Sequence, residues 1–147
     1  MARINLRLTG PMDQLSIVWQ TGEVLLADVP FEQDPEMTRQ NVLLSLQEMV
    51  TNVLRHAYEC DETRPIELDF ETSESGFAVV LRDEGPAFDP LGHELGILAE
   101  DEVMPTESGG WGIRLARLLM DEVEYARIGD KNELRMTKFA RTSSKVQ

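Results

Sequence analysis

The chain has little cysteine and few basic residues. Its single cysteine among 147 residues, Cys60, excludes an internal disulfide, and no Cys or His lies near it at zinc-binding spacing. We interpret Cys60 as an ordinary thiol. Lys and Arg number 14 against 27 Asp and Glu, which gives a formal net charge of −13. Nucleic acids and anionic membranes are bound through clustered basic residues, so we expect neither as a partner.

Long apolar runs are also missing. No uninterrupted stretch approaches the roughly 18 residues of a membrane span. The N-terminal sequence MARINLRLTG lacks the apolar segment of a signal peptide, so we predict a cytoplasmic protein. The 41% hydrophobic content is sufficient for a core. We predict one domain over residues 1–140 and a polar tail over 141–147.

The periodicity of apolar residues predicts a strand, two helices, a hairpin, a long irregular loop, a helix and a second hairpin. These elements are expected at 3–8, 10–29, 35–58, 65–84, 86–108, 113–120 and 122–139. Asp34 is the expected N-cap of the second helix, and Pro35 is expected in its first turn. Helices grouped with antiparallel strands predict an α+β fold. We expect a two-layer α/β sandwich with a mixed, mostly antiparallel sheet and helices on one face.

The second predicted helix carries a line of polar residues beside its apolar stripe. Glu48, Asn52 and His56 follow one another at intervals of four residues. Asn is a poor helix former, and its amide oxygen suits a Mg²⁺ ion shared with phosphates. Glu48 could accept a proton from an attacking hydroxyl group. A solvated helix face is the alternative interpretation, and His56 is interpreted as structural.

The sequence DEGPAF contains a carboxylate at the end of a predicted buried strand. Asp83 could accept a hydrogen bond from an exocyclic amine such as N6 of adenine, and Gly85 would let a ring approach the backbone. An ordinary Asp-x-Gly turn that ends a strand is the alternative.

Three glycines open the third predicted helix. Gly109, Gly110 and Gly112 leave the first amides of this helix accessible, as an anion site requires. The spacing matches neither a Walker A motif nor GxGxxG. The order of the three features is far rarer than each feature alone, and it suggests a nucleotide site.

In this order the motifs resemble those of the Bergerat-fold ATPases, the superfamily that includes gyrase, Hsp90 and histidine kinase catalytic domains. Glu48-x-x-x-Asn52 matches the N box, Asp83 to Phe88 the first glycine box, and Gly110-Trp-Gly112 the second. Within this superfamily NVLRHAY, RDEGPAFDP and GGWGIRLARLLMDEVEY look most like anti-sigma-factor serine kinases. The likeness covers roughly residues 36–139.

The resemblance implies a role for each matching residue. Glu48 would be the general base, Asn52 the Mg²⁺ ligand, and Asp83 the residue that reads adenine. Residues 89–108 would form a lid over ATP. The remaining nucleotide-binding residues implied by the two glycine boxes are Gly85, Phe88, Gly109, Gly110 and Gly112.

The resemblance also implies a Mg-ATP-dependent protein serine/threonine kinase that binds a sigma factor or another regulatory protein. Such a kinase phosphorylates a small antagonist protein, and the family implies a homodimer built through the first strand and first helix. The alternative is a catalytically weak nucleotide-binding module that sequesters a regulator and is switched by ATP and ADP.

Two departures from the family pattern bear on this choice. Some family kinases carry an Arg just before the second glycine box, where this chain has Ser108 nearby. Many superfamily members support the adenine-reading Asp with a Thr at the start of the last strand. Here Asn132 is the nearest polar candidate.

Overall fold

The computed structural model describes residues 1–9, 15–54, 64–87 and 108–141, with only the backbone at 108–113. Its elements follow the predicted order. They are β1 (Ala2–Thr9), α1 (Leu15–Leu26), α2 (Pro35–Asn52), β2 (Pro65–Ser73), β3 (Gly76–Asp83), α3 (Ser108–Leu119), β4 (Glu122–Ile128) and β5 (Lys131–Phe139).

The strands form one five-stranded sheet in the order β1-β2-β3-β5-β4. All four pairings in this described sheet are antiparallel. The predicted α+β sandwich with a mostly antiparallel sheet is therefore confirmed, and the parallel pairing that a mixed sheet would add does not occur among these strands. The last strand, β5, lies between β3 and β4, and its pairing with β3 joins the two hairpins and places the start of β5 beside the end of β3.

One face of the sheet is apolar because alternate residues of a strand point to the same side. Along β2 the buried residues alternate with half-buried ones throughout the strand. The buried residues of the strands join those of α1, α2 and α3 in one hydrophobic core. The helices thus cover one face, which contains Leu68, Phe70, Val79, Leu81 and Met136.

The opposite face of the sheet is open and charged. Arg82 in β3 bridges the two neighbouring strands, with Nη1 at 2.5 Å from Asp69 and Nε at 2.6 Å from Glu133. Hydrogen bonds from Asn5 and then Arg82 hold the pKa of Asp69 below its ordinary value. Hydrogen bonds to Asp69 and then Glu133 in turn raise the pKa of Arg82.

Helices α1 and α2 approach each other closely at Gly22. A Cβ at this position would lie 2.9 Å from Cδ2 of Leu43, so the absence of a side chain permits the contact. Arg39 of α2 also donates hydrogen bonds to the carbonyl of Leu26, the last residue of α1, and to the carbonyl of Val29 just after it. These contacts hold α2, which carries Glu48 and Asn52, against its neighbour.

The two ends of α2 differ in part from the prediction. Pro35 lies in the first turn, as its φ angle favours, but the N-cap residue Asp34 makes no side-chain cap and adopts a left-handed conformation with φ of 43°. The α-helix ends at Asn52, and Val53 and Leu54 continue it with π-helical geometry. The rest of the helix predicted as far as residue 58 lies outside the described residues.

Across the parts of the chain that the structure describes, no helix has both the length and the apolar character needed to cross a lipid bilayer.

Candidate functional site

Asp83, the last residue of β3, is a buried carboxylate with 7% of its surface exposed. It lies in register with Ile66 of β2 and Asn132 of β5. Its Oδ1 accepts hydrogen bonds from the backbone N of Gly85 at 2.8 Å and from Nδ2 of Asn132 at 3.0 Å. No residue in the described ranges donates a hydrogen bond to Oδ2, and the side chain belongs to the buried, helix-covered face of β3.

The first of these hydrogen bonds forms the local Asp-x-Gly turn that was the alternative interpretation of this motif. The turn occupies only one carboxylate oxygen. A local turn and an acceptor for a ligand are therefore compatible at Asp83.

The turn that follows β3 is held by the second hairpin. Nη1 of Arg127 donates to the carbonyl oxygen of Gly85 at 2.8 Å. Nδ2 of Asn132 donates to the carbonyl oxygen of Pro86 at 3.0 Å. Residues 84–86 are thus tied to β4 and β5 in addition to their own strand.

The sequence identified Asn132 as the nearest polar candidate to support Asp83, and the structure places the two side chains in contact. It also shows two residues that the sequence analysis missed. The hydroxyl of Tyr125 and Nη1 of Arg127 donate to Oδ1 of Asn132 at 2.5 and 3.1 Å. Asn132 therefore has both ends of its amide occupied.

The register of the second hairpin is the feature of the sequence from which these two residues could have been identified. The turn of the second hairpin consists of Gly129 and Asp130, with a left-handed glycine at φ of 62°. Counting back from this turn pairs Arg127 with Asn132. Tyr125, two residues earlier, lies on the same side of the strand.

Glu48 and Asn52 lie one helical turn apart near the end of α2. Both are half-buried, and Met49 and Val50 between them are in the core. Asn52 is the last α-helical residue before the π-helical turn, and such turns often occur at functional sites. No hydrogen bond or ion pair within the described residues joins either side chain to Asp83.

Helix α3 begins at Ser108, so Gly109, Gly110 and Gly112 fall in its first turns. The first four N–H groups of a helix lack partners within it, and the helix dipole makes this end electropositive. Helices α2 and α3 pack against each other. The packing brings the helix of Glu48 and Asn52 beside the glycine-led helix.

Several predicted elements lie outside the described residues. They are His56, Cys60, Phe88, the lid up to residue 107 and the tail from residue 142.

The donor set suits a nucleotide more than a metal ion bound by protein alone. The described residues include no group of three or more His, Cys, Asp or Glu side chains placed to hold a metal. A buried carboxylate with one oxygen that accepts from no described residue suits a base with an exocyclic amine, and the glycine-led start of α3 suits phosphates. Mg²⁺ usually binds with one or two protein ligands and substrate phosphates, which one amide oxygen from Asn52 would satisfy.

Comparison with known sequences identifies a family. The family model of the histidine kinase-like ATPase domain matches residues 24–138. The serine-protein kinase RsbW of Bacillus licheniformis is 30% identical over 103 residues, which are 68% of this chain and 64% of that protein. The RsbW of Oceanobacillus iheyensis is 30% identical over 88 residues, 58% of this chain and 56% of that protein. The chain therefore spans less than two thirds of the length of these relatives.

Solved structures share the fold. The RsbU and RsbW domains of a Mycobacterium tuberculosis protein superpose with a TM-score of 0.64 at 14% identity, covering 97% of this chain and 34% of that chain. The histidine kinase AdeS of Acinetobacter baumannii superposes with a TM-score of 0.52 at 11% identity, covering 97% of this chain and 70% of that chain. Together with the sequence matches, these likenesses confirm the resemblance seen in the motifs.

Proposed function

Because the chain belongs to the histidine kinase-like ATPase domain family, we propose that it is a Mg-ATP-dependent protein serine/threonine kinase. We further propose that it regulates by binding its partners, which are a sigma factor or similar regulator and a small antagonist protein as substrate. The similarity to two serine-protein kinases named RsbW supports this branch of the family over histidine kinases.

The observation that carries the proposal is the carboxylate of Asp83. It is buried at the end of β3, two donors occupy Oδ1, and no described residue donates to Oδ2. A carboxylate oxygen only accepts hydrogen bonds, so it suits the N6 amine of adenine and opposes a base with a carbonyl oxygen there. Gly85, which is also buried, and Phe88 complete the proposed base site.

The other roles follow from the helices. Gly109, Gly110 and Gly112 at the start of α3 hold the phosphates through backbone amides. Bound ATP supplies the transferred phosphoryl group, and Asn52 would hold Mg²⁺ together with its phosphates. Glu48, one turn before Asn52, accepts the proton of the attacking serine or threonine hydroxyl.

The setting of this activity is proposed with it. The kinase domain spans residues 1–140 and is followed by a polar tail at 141–147, and the protein acts in the cytoplasm as a homodimer. The strand β1 at the edge of the sheet and helix α1 supply the proposed dimer contacts.

The test is a phosphorylation assay with γ-labelled ATP, Mg²⁺ and a lysate of the source organism. We expect wild-type protein to label a small protein on Ser or Thr. Glu48→Gln should bind nucleotide normally and label the substrate at least about 100-fold more slowly, since general base catalysis contributes about that much. Glu36→Gln, an exposed change in the first turn of the same helix, is the matched control and should label normally.

Nucleotide binding by every variant is measured in parallel by titration calorimetry, and lysate alone provides the background. If wild type and Glu36→Gln both bind ATP and neither transfers label, the proposed kinase activity is wrong. The alternative, a binding module switched by ATP and ADP, then replaces it. A pull-down with the immobilised chain, compared in ATP and ADP, then identifies the sequestered partner. If Glu48→Gln labels as fast as wild type, Glu48 is not the base.

A further inference from the structure

The side chain of Asn132 is the centre of a buried network that the proposed kinase mechanism does not use directly. Asn132 is 6% exposed and lies on β5 opposite Asp83. Its Nδ2 donates to Oδ1 of Asp83 and to the carbonyl oxygen of Pro86, both at 3.0 Å. Its Oδ1 accepts from Tyr125 at 2.5 Å and from Arg127 at 3.1 Å.

These partners determine which way the amide points. A guanidinium nitrogen can only donate, so the group that meets Arg127 must be the amide oxygen. A backbone carbonyl can only accept, so the group that meets Pro86 must be the amide nitrogen. A flipped amide would oppose donor to donor and acceptor to acceptor, and Nδ2 therefore has to face Asp83.

The same orientation determines which oxygen of Asp83 accepts no hydrogen bond from the described residues. The donors from Gly85 and Asn132 both reach Oδ1, so the carboxylate cannot rotate without losing two hydrogen bonds inside the protein. Oδ2 is then held in one place. An acceptor in a fixed place discriminates between an amine and a carbonyl on the base more sharply than a mobile one.

We propose that Asn132, with its amide orientation set by Arg127 and Tyr125, is a positioning residue that aims Oδ2 of Asp83 at the nucleotide base. Through this network, the β4–β5 hairpin determines the selectivity of the site for adenine over bases that carry an oxygen in place of the N6 amine. This role rests on the proposed nucleotide site at Asp83.

A second contact supports a role for the hairpin in the site. Arg127 bonds the amide of Asn132 and also the carbonyl oxygen of Gly85, through the same Nη1 nitrogen. The hairpin thus fixes the carboxylate of Asp83 and the turn after it together. Loss of Arg127 releases both while leaving β3 and β5 paired, because Arg127 itself is exposed and lies on the edge strand.

The test compares the affinities for ADP and IDP, whose base carries an oxygen in place of the adenine amine, by titration calorimetry on the full chain. Asn132→Leu and Arg127→Met should each lower ADP affinity by about 10-fold, because the base then loses its well-aligned charge-assisted hydrogen bond to Asp83. IDP affinity should change far less, so the ADP-to-IDP ratio falls. Asn132→Thr keeps a hydroxyl donor and should retain most of the ratio.

The matched control is Glu133→Ala, the next residue of β5, which bonds Arg82 on the open face. It should lower thermal stability and leave the ADP-to-IDP ratio unchanged. A purely structural Asn132 would lower both affinities equally, and this result would overturn the positioning role. Arg127→Met keeps the test valid if Asn132→Leu does not fold.

The proposed function fails in a different way. If Asp83→Asn leaves ADP affinity unchanged, the nucleotide site itself is wrong. If Asp83→Asn weakens ADP binding and the variants of Asn132 and Arg127 leave the ratio unchanged, only the positioning role is wrong.

Discussion

Asp83→Asn should lower the affinity for ADP by at least about 100-fold and should leave the affinity for IDP unchanged or higher. The 100-fold loss has two causes. The base loses a charge-assisted hydrogen bond to residue 83, and the N6 amine of adenine then faces another hydrogen-bond donor, which together cost about 3 kcal/mol of binding free energy. A selectivity reversal is a stronger expectation than simple loss of binding, because general damage to the site cannot produce it.

The direction of the reversal follows from the hydrogen bonds around Asp83. The backbone N of Gly85 and Nδ2 of Asn132 both donate to the Oδ1 position. In the variant these donors select the amide oxygen of residue 83 for that position. The new NH₂ group then occupies the place of Oδ2, where it opposes the N6 amine of adenine and suits the oxygen of inosine.

Titration calorimetry with ADP and IDP measures this effect. Asp69→Asn is the matched control, because it makes the same chemical change on the adjacent strand β2, on the open face of the sheet. It should leave both affinities unchanged. Equal affinity of wild type and Asp83→Asn for ADP would show that this carboxylate does not read the base.

Gly76→Ala should lower the free energy of unfolding by about 4 kcal/mol, the sum of backbone strain and overpacking at about 1–3 kcal/mol each. Gly76 begins β3 with a φ of +147°, a conformation that side chains rarely adopt. A Cβ would lie 2.3 Å from the carbonyl oxygen of Lys138 and 2.9 Å from Cα of Phe139. Both are backbone atoms of the paired strand β5, so a side-chain rotation cannot relieve the contact.

Gly129→Ala is the control for the glycine effect. Gly129 has a φ of +62°, and a Cβ there would meet nothing within 4 Å. The substitution should cost only the left-handed backbone penalty of about 1–2 kcal/mol. Urea unfolding followed by circular dichroism measures both variants, and equal losses would contradict the steric argument at Gly76.

Much of the fold was predictable because it depends on local patterns. The alternation in β2 and β3 and the stripe through Val42, Leu46 and Met49 identify buried faces without any knowledge of partners. The element order was confirmed for the same reason. Asp34 is the N-cap of α2, as the sequence predicts, but its side chain makes no cap hydrogen bond in the left-handed conformation that it adopts.

The sequence by itself determined the alternation that makes the sheet two-faced, the helix that carries Glu48 and Asn52, and the glycines at the start of α3. Each of these follows from residues within one or two turns of one another. Only the tertiary structure decided how Asp83 is held, since Asn132 lies 49 positions away and reaches it through the β3–β5 pairing. The two donors to Oδ1 of Asp83 come from separate segments, the turn after β3 and the start of β5, and a one-dimensional pattern does not contain the geometry that brings them together.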